Sequence, residues 1–350
     1  MRLLITGIAG FVGSHMAERA LAEGAVVFGS TLPGGSTENV DSLRERIALA
    51  ECDLRDAAAA RALVERSRPT HVVHLAAQSF VGASWQAPAE TLTTNIVSQV
   101  NLLEAIRSLS IAPRVICVGS SEEYGMVHEN ELPIRETNPL RPLSPYAVSK
   151  VAQDVMGYQY FKSYGLPIIR TRAFGHEGPR RGDLFATSSF AKQVSEIEAG
   201  LREPVIQVGD LKPRRDYSDV RDIVRGYWLL LERGEPGEVY NLCSGRSWSI
   251  QQVLDFLLGL SRVKGIAVSV DPVRFRPSDV MILEGDPSKI ERAVGWKITI
   301  PFEQTLGDLL EYWRTKIRTS SDGAPGVRNA TTGGEGACGS APDVRVTERS

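Results

Sequence analysis

A short apolar run, Leu3-Leu4-Ile5, passes at once into Thr6-Gly7-Ile8-Ala9-Gly10-Phe11-Val12-Gly13 and then into an amphipathic stretch reaching Leu21. This stretch limits the fold more than any other. A buried strand that turns directly into a helix through glycines spaced by three makes a tight turn whose main chain can be approached closely. The helix dipole and its unpaired N–H groups then attract a pyrophosphate. Gly7, Gly10, Phe11, Val12 and Gly13 therefore predict a dinucleotide site at the first turn of a parallel α/β sheet.

The following residues keep that rhythm. A second strand at 25–29 ends in Ser30-Thr31. An acidic residue there would bind the adenosine ribose and favour NAD, and an arginine would favour NADP. Neither is present, so the choice stays open, with a lean to NADP because no carboxylate repels a 2′-phosphate; Arg44 or Arg46 would supply positive charge if they are not merely solvated. A third strand at 47–52 leads to Asp53-Leu54-Arg55-Asp56, which either holds the adenine edge, through Asp53 and Leu54, or caps the helix at 57–65. A fourth run, 71–79, ends in Leu75, Ala76, Ala77, Gln78 and Ser79, whose small residues let the loop lie against a cofactor. His71 and His74 in that run read as packed or edge residues. A helix at 88–108 follows, with Asn95 placed to cross-link it to neighbouring backbone. Strands at 115–119 and 166–174 complete six alternations, the signature of a doubly wound parallel (Rossmann) sheet.

Chemistry concentrates after the fifth strand. Ser120-Ser121-Glu122-Glu123-Tyr124-Gly125 is followed by Tyr146-Ala147-Val148-Ser149-Lys150. Residues four apart share a helix face, roughly 6 Å apart along the axis. An ammonium beside a phenol favours the phenolate, so Lys150 is expected to lower the Tyr146 pKa and make it an acid/base. Ser120 or Ser121 can donate to the same substrate oxygen. Hydroxyl, phenol and ammonium around one C–O group serve hydride transfer at an alcohol or ketone. Glu122 adds a carboxylate, which is what proton removal from carbon or loss of water requires.

From Gly175 the residues shift to Gly, Pro and Arg. The loop 175–183, which carries His176 and Arg181, sits where ligands bind in open α/β sheets. The expected division is a dinucleotide-binding domain at 1–174 with a returning segment at about 209–245, a smaller α/β substrate lobe at 175–208 and 246–318, and a disordered tail at 319–350. The last helix is expected from 302 to about 316, and the tail is rich in Gly, Ser, Thr and Ala. A formal charge of −2 over 350 residues gives no case for a nucleic-acid or anionic-membrane partner. The four cysteines show no metal-ligand spacing, so Cys52, Cys117 and Cys243 read as buried thiols and no metal is expected. With no apolar run of membrane-spanning length and no signal-peptide layout, the expectation is a cytoplasmic protein.

Together Gly7/Gly10/Gly13, Ser120-Ser121-Glu122, Tyr146/Lys150, the 176–182 loop, Arg215-Asp216 and Arg276-Pro277 resemble the extended short-chain dehydrogenase/reductase family, over about residues 1–316. Within its nucleotide-sugar branch the chain is similar to GDP-mannose 4,6-dehydratases and GDP-4-keto-6-deoxy-mannose reductases. The Ser-Ser-Glu-x-Tyr-Gly block and the 176–182 loop look like the dehydratases, and the 215–222 loop looks like the reductases. The phosphate loop lacks the dehydratases' Gln-Asp-Gly variant, their Arg-rich segment after the second strand is missing, and Gly175 stands where both groups usually carry an Asn.

The resemblance implies that Tyr146, with Lys150 and Ser120, takes the proton from sugar O4 as hydride leaves C4 for NADP or NAD. Glu122 then removes the C5 proton and delivers one to the departing O6. It also implies that Arg181, Arg215 and Arg276, all in expected loops, neutralise a nucleotide diphosphate, that Asp279 meets the guanine edge, and that Gln78 and Ser79 lie by the sugar. A homodimer or homotetramer follows by analogy, with Val151, Val155, Tyr158 and Phe161 as an apolar stripe that equally suits a core. The leading function is GDP-mannose 4,6-dehydration. The alternatives are a 4-keto reductase using NAD(P)H, a C4 epimerase, which has no need of Glu122, and a non-catalytic nucleotide-sensing module, which has no need of Tyr146 and Lys150.

Overall fold

A computed structural model describes residues 1–275 and 280–322. In chain order the first elements are β1 (Arg2–Thr6), α1 (Phe11–Ala22), β2 (Val26–Thr31), β3 (Ile47–Glu51), α2 (Ala57–Ser67), β4 (His71–His74), α3 (Val81–Gln86), α4 (Pro88–Ser108), β5 (Arg114–Ser120), α5 (Pro145–Tyr164) and β6 (Ile168–Ala173). The rest comprises β7 (Gly175–Glu177), α6 (Ala186–Glu198), β8 (Val205–Val208), β9 (Arg214–Asp219), α7 (Val220–Arg233), β10 (Val239–Leu242), β11 (Ser247–Ser249), α8 (Ile250–Leu260), β12 (Ala267–Val270), β13 (Ile282–Leu283), α9 (Ser288–Val294) and α10 (Phe302–Asp322).

The main sheet has seven parallel strands in the order β3-β2-β1-β4-β5-β6-β10. Its strands are apolar on both sides because helices cover both. Alternate residues divide between two cores. Leu3, Ile5, Val73, Ile116 and Ile169 pack under α1, α7 and α9, while Leu4, Val72, Val115 and Ile168 pack under α2, α4 and α5. Packing rather than propensity holds α4, which carries three threonines and two asparagines but buries Leu102, Leu103 and Ile106 completely. Each such side chain contributes roughly 2 kcal/mol.

The later elements form a smaller body. β9 lies not in the main sheet but in a second one, where it pairs with β7, β11 and β13. β8 and β12 pair separately, and α6, α8 and α10 enclose their own core around Phe190, Leu254 and Leu306. The last helix runs to Asp322, past the expected end near Lys316, so the first residues of the expected tail are helical and the remainder lies outside the described residues. Cys52, Cys117 and Cys243 are buried free thiols. No described helix is long and apolar enough to cross a membrane.

Candidate active site

The carboxyl ends of the main strands open into a cavity of about 1440 Å³ that runs from the β1–α1 turn to the smaller body. Gly7 has φ +70°, and a Cβ there would stand 3.0 Å from the main chain of Ala76. At Gly13 a Cβ would come within 2.3 Å of the Gly7 carbonyl, so α1 presses on the turn only because this residue is glycine. Gly10 caps α1 with no side-chain hydrogen bond, which leaves the first-turn N–H groups without a side-chain acceptor. Phe11, Val12, Leu75, Ala76 and Ala77 line the same end. The turn fits a dinucleotide pyrophosphate: close main-chain approach, helix dipole and small neighbours all converge on it.

Beside the ends of β2 and β3 the cavity is bounded by Ser30, Thr31, Ser36, Asp53, Leu54 and Arg55. Asp53 does not cap α2; Asp56 does, accepting from the N–H groups of Ala58 and Ala59 at 2.8 and 3.2 Å. Asp53 is instead forked by Arg55 at 3.0 and 2.7 Å, and Arg55 holds its carboxyl below the usual range. Arg44 and Arg46 are exposed and lie off the cavity.

Ser120, Ser121, Glu122, Tyr146 and Lys150 meet in the middle. Helix α5 presents Tyr146 and Lys150 because Ser144 caps its start, accepting from Ala147 N–H at 3.1 Å, and Gly165 ends it at φ +68°. Asn95 pins the helix from α4: its amide donates to Ser149 Oγ at 2.9 Å and to the Gln78 carbonyl at 3.1 Å, and its carbonyl accepts from Gln78 N–H at 2.8 Å. Lys150 Nζ donates to the Val118 carbonyl at 2.9 Å and lies 5.9 Å from the Tyr146 ring centre.

The expected lowering of the Tyr146 pKa is not found. Burial pushes the phenol above its ordinary value, the Ser120 hydroxyl that hydrogen-bonds it works the other way, and the charges of Glu122 and Glu123 add to the rise. Tyr146 thus carries its proton at neutral pH. The Lys150 ammonium is itself pulled down to about 8 by burial, against the neighbouring Glu123 carboxylate.

Glu122 and Glu123 separate completely. Residues Ser121–Glu123 form one 3-10 turn capped by Ser120, whose Oγ accepts from Glu122 N–H at 3.2 Å. Glu123 folds back to accept from Ser120 N–H at 2.7 Å and meets Arg172 Nε at 3.1 Å, fully buried. Burial and the adjacent Asp154 push its carboxyl well up. Glu122 is left facing the cavity.

Beside the glycine turn His176 stacks on Phe11 at 6.1 Å and donates Nδ1–H to the Phe174 carbonyl at 2.8 Å, its pKa lowered to about 4 by burial and by Arg181. The Arg181 guanidinium lies 3.4 Å from the Phe185 ring centre and 5.1 Å from that of Phe11, with Nε 3.5 Å from Glu177 Oε2. Arg215 lines the cavity too, but from strand β9 rather than a loop, donating to the carbonyls of Val280 and Arg214 at 2.5 and 3.0 Å. Gln78 and Ser79 are on the wall; Arg276 and Asp279 lie outside the described residues. A Cβ on Gly175 would stand 2.7 Å from the Tyr217 ring, which stacks on Phe302 at 4.9 Å. An Asn side chain therefore has no room at Gly175. Phe185 and Glu177 flank Arg181; sequence reasoning gave neither a part beside it, since neither has a spacing that ties it to an arginine in an irregular loop.

A family model described as GDP-mannose 4,6 dehydratase matches residues 4–309. The chain is 32% identical over 318 residues to the GDP-6-deoxy-D-mannose reductase of Pseudomonas aeruginosa, covering 91% of this chain and 98% of that one. It is 31% identical over 346 residues to the GDP-mannose 4,6-dehydratase of Vibrio cholerae, covering 88% and 92%. The solved structure of RMD from P. aeruginosa complexed with NADPH superposes with a TM-score of 0.78 at 30% identity, over 90% of this chain and 100% of that one. With a family match spanning both the glycine turn and the Tyr146/Lys150 helix, the chain belongs to the GDP-mannose 4,6-dehydratase family of extended short-chain dehydrogenases/reductases.

Proposed function

We propose that this protein is a nucleotide-sugar 4,6-dehydratase that converts GDP-mannose to GDP-4-keto-6-deoxy-mannose with NADP, NAD being the alternative. The observation that carries this reading is the Glu122 carboxylate on the cavity wall beside Tyr146, a group that hydride transfer alone does not need. A bound nicotinamide dinucleotide supplies storage for the hydride given up at sugar C4 and taken back at C6. Gly7, Gly10 and Gly13 receive its pyrophosphate, with Asp53 and Leu54 toward adenine and His176 toward the sugar end. The relative solved with NADPH supports the cofactor class.

Tyr146 acts through its phenolate, formed once the proton it holds at neutral pH has passed to solvent, and that phenolate accepts the O4 proton as the C4 carbonyl forms while Ser120 holds the same oxygen. Lys150 and Arg181 stabilise the charge on Tyr146 in passing, Arg181 already acting on the phenol through space. The new carbonyl acidifies the C5 proton. Glu122 removes it and delivers a proton to O6 as water departs, and as hydride returns to C6 a proton is taken up at C5, which balances the one given up at O4. Arg181 and Arg215 neutralise the diphosphate by charge-assisted hydrogen bonds. Two copies pair through α5, where Val155 and Tyr158 are exposed although Phe161 packs into the core.

A second reading, reduction of the 4-keto sugar with NAD(P)H, draws on the likeness to the P. aeruginosa reductase along 98% of its length. The test is incubation with GDP-mannose and no added reductant, followed by mass. Loss of one water establishes the dehydratase. An unchanged mass, with NADPH consumed when the 4-keto-6-deoxy sugar is offered, establishes the reductase.

A further inference from the structure

Arg180 stands beside the cavity without entering it. Its main chain is left-handed, φ +75°, a conformation that a residue with a full side chain keeps only where its surroundings hold it. Here the holding is done by α1. Arg180 Nη1 and Nη2 donate to the two carboxylate oxygens of Glu18 at 2.9 and 2.7 Å, and Nη2 also donates to His15 Nδ1 at 2.7 Å. The other ring nitrogen of His15, Nε2, donates to the Pro179 carbonyl at 2.9 Å. That arrangement needs a neutral imidazole. Burial and the Arg180 charge together keep it neutral, lowering its pKa to about 4 against the opposing charges of Glu18 and Asp219. Arg180 Nη1 also faces the Asn39 carbonyl at 3.4 Å, and the Asn39 amide donates to the Ala9 carbonyl, inside the glycine turn, at 2.9 Å.

The neighbouring residue points the opposite way. Arg181 enters the cavity between Phe185 and Phe11, the latter being the first residue of α1. Among the described residues no tight bond fixes its head: Nε has no hydrogen-bond partner there and its contact with Glu177 is a 3.5 Å ion pair. Aromatic faces and one loose pair leave a guanidinium free to swing unless the main chain beneath it is fixed.

We propose that Arg180 is a positioning residue for substrate: by locking the 178–181 loop onto α1 through Glu18 and His15, it holds the Arg181 guanidinium at the seam between the cofactor turn and the nucleotide-sugar diphosphate. This rests on the nucleotide-sugar reading of the cavity. An isolated surface ion pair would contribute little. Arg180, however, is only 16% exposed, and its fork grips both oxygens of one carboxylate and a ring nitrogen, which fixes direction as well as distance.

The test is calorimetric titration of GDP, UDP and dTDP into the protein with NADP present, in the parent, Arg180→Gln, Glu18→Gln and the double variant. All three nucleotides are used because the lock acts on the diphosphate and not on the base. Each single change should weaken nucleoside diphosphate binding about tenfold, leave NADP binding unchanged, and raise KM for the sugar nucleotide by more than it lowers kcat, since Arg181 also acts on Tyr146. The double variant should be no worse than either single one, since both break the same lock. Unchanged diphosphate affinity in the single variants, or losses that simply add, would overturn the proposal. Glu18→Gln leaves the contacts of Arg180 to His15 and Asn39, so it decides the matter if Arg180→Gln does not fold. A parent that binds nucleoside diphosphates but does not dehydrate GDP-mannose refutes the reaction and leaves the lock standing. Dehydration by a parent whose variants bind diphosphate unchanged refutes the lock alone.

Discussion

The main-chain N–H of Ser120 donates to Glu123 Oε1 at 2.7 Å, and the accepting oxygen occupies the space that a side chain on Gly119 would need. The 3-10 turn that aims Ser120 and Glu122 at the cavity therefore depends on a buried carboxylate packed over a glycine.

Gly119→Ala puts a Cβ 2.2 Å from that oxygen and 2.5 Å from the Thr171 carbonyl of the adjoining strand. The carboxylate can swing away, but the strand cannot. The variant should lose about 2–3 kcal/mol of stability, read from its denaturant midpoint, and the folded fraction should turn over poorly. A midpoint equal to the parent's would contradict this packing.

Glu122→Gln removes the group assigned to the C5 proton and leaves the turn intact. Formation of the 4-keto-6-deoxy product should fall about a thousandfold, with dinucleotide affinity unchanged. Full activity would take Glu122 out of the mechanism. Glu123→Gln, in contrast, disturbs the Arg172 cluster and should show first in thermal stability.

Burial brings the Lys150 ammonium to about 8, so it is charged at neutral pH and neutral in alkaline solution. Once neutral it no longer stabilises a charged Tyr146, and kcat/KM should decline as pH rises past about 8. A pH–rate profile measures this. In Lys150→Arg, whose charge persists, whatever activity remains should lack that limb. A limb that stays in place assigns it to another group.

His74 is fully buried beneath the glycine turn and takes a hydrogen bond from the Thr6 hydroxyl at 2.9 Å. Burial and the Lys150 charge lower its pKa from 6.5 to about 3. As pH falls below 6.5 the unfolded chain gains a proton that the folded chain refuses, so stability is lost progressively down to about 3. The loss is about 1.4 kcal/mol per pH unit for this one group. His74→Asn lacks it, so the stability gap between parent and variant should narrow in mild acid when unfolding is measured at both pH values. Parallel curves would show that His74 is not the group responsible.

Local spacing made much of the site legible. Gly7, Gly10 and Gly13 follow an apolar run and so announce a strand, a turn and a helix in immediate succession. Tyr146 and Lys150 share a face because four residues make about one turn. Even the division between the two glutamates left a trace: Ser120-Ser121-Glu122-Glu123 has the capping-box spacing that turns the third residue after the cap back on the main chain. Asp53 and Asp56 illustrate the limit, since either suits a helix cap by type and only the path of the loop chose Asp56.

The sequence by itself determined the parallel sheet, the cofactor turn and the pairing of Tyr146 with Lys150, because each depends on periodicity or on a conformation available only to glycine. Tertiary structure alone decided the charge states and the aim of the arginines. Tyr146 holds its proton because burial and two carboxylates outweigh the help it receives, Arg215 reaches the cavity from a strand, and Gly175 stays bare because the Tyr217 ring fills the space. Those outcomes depend on which groups distant in the chain become neighbours and on how much water they exclude, and no local spacing encodes either.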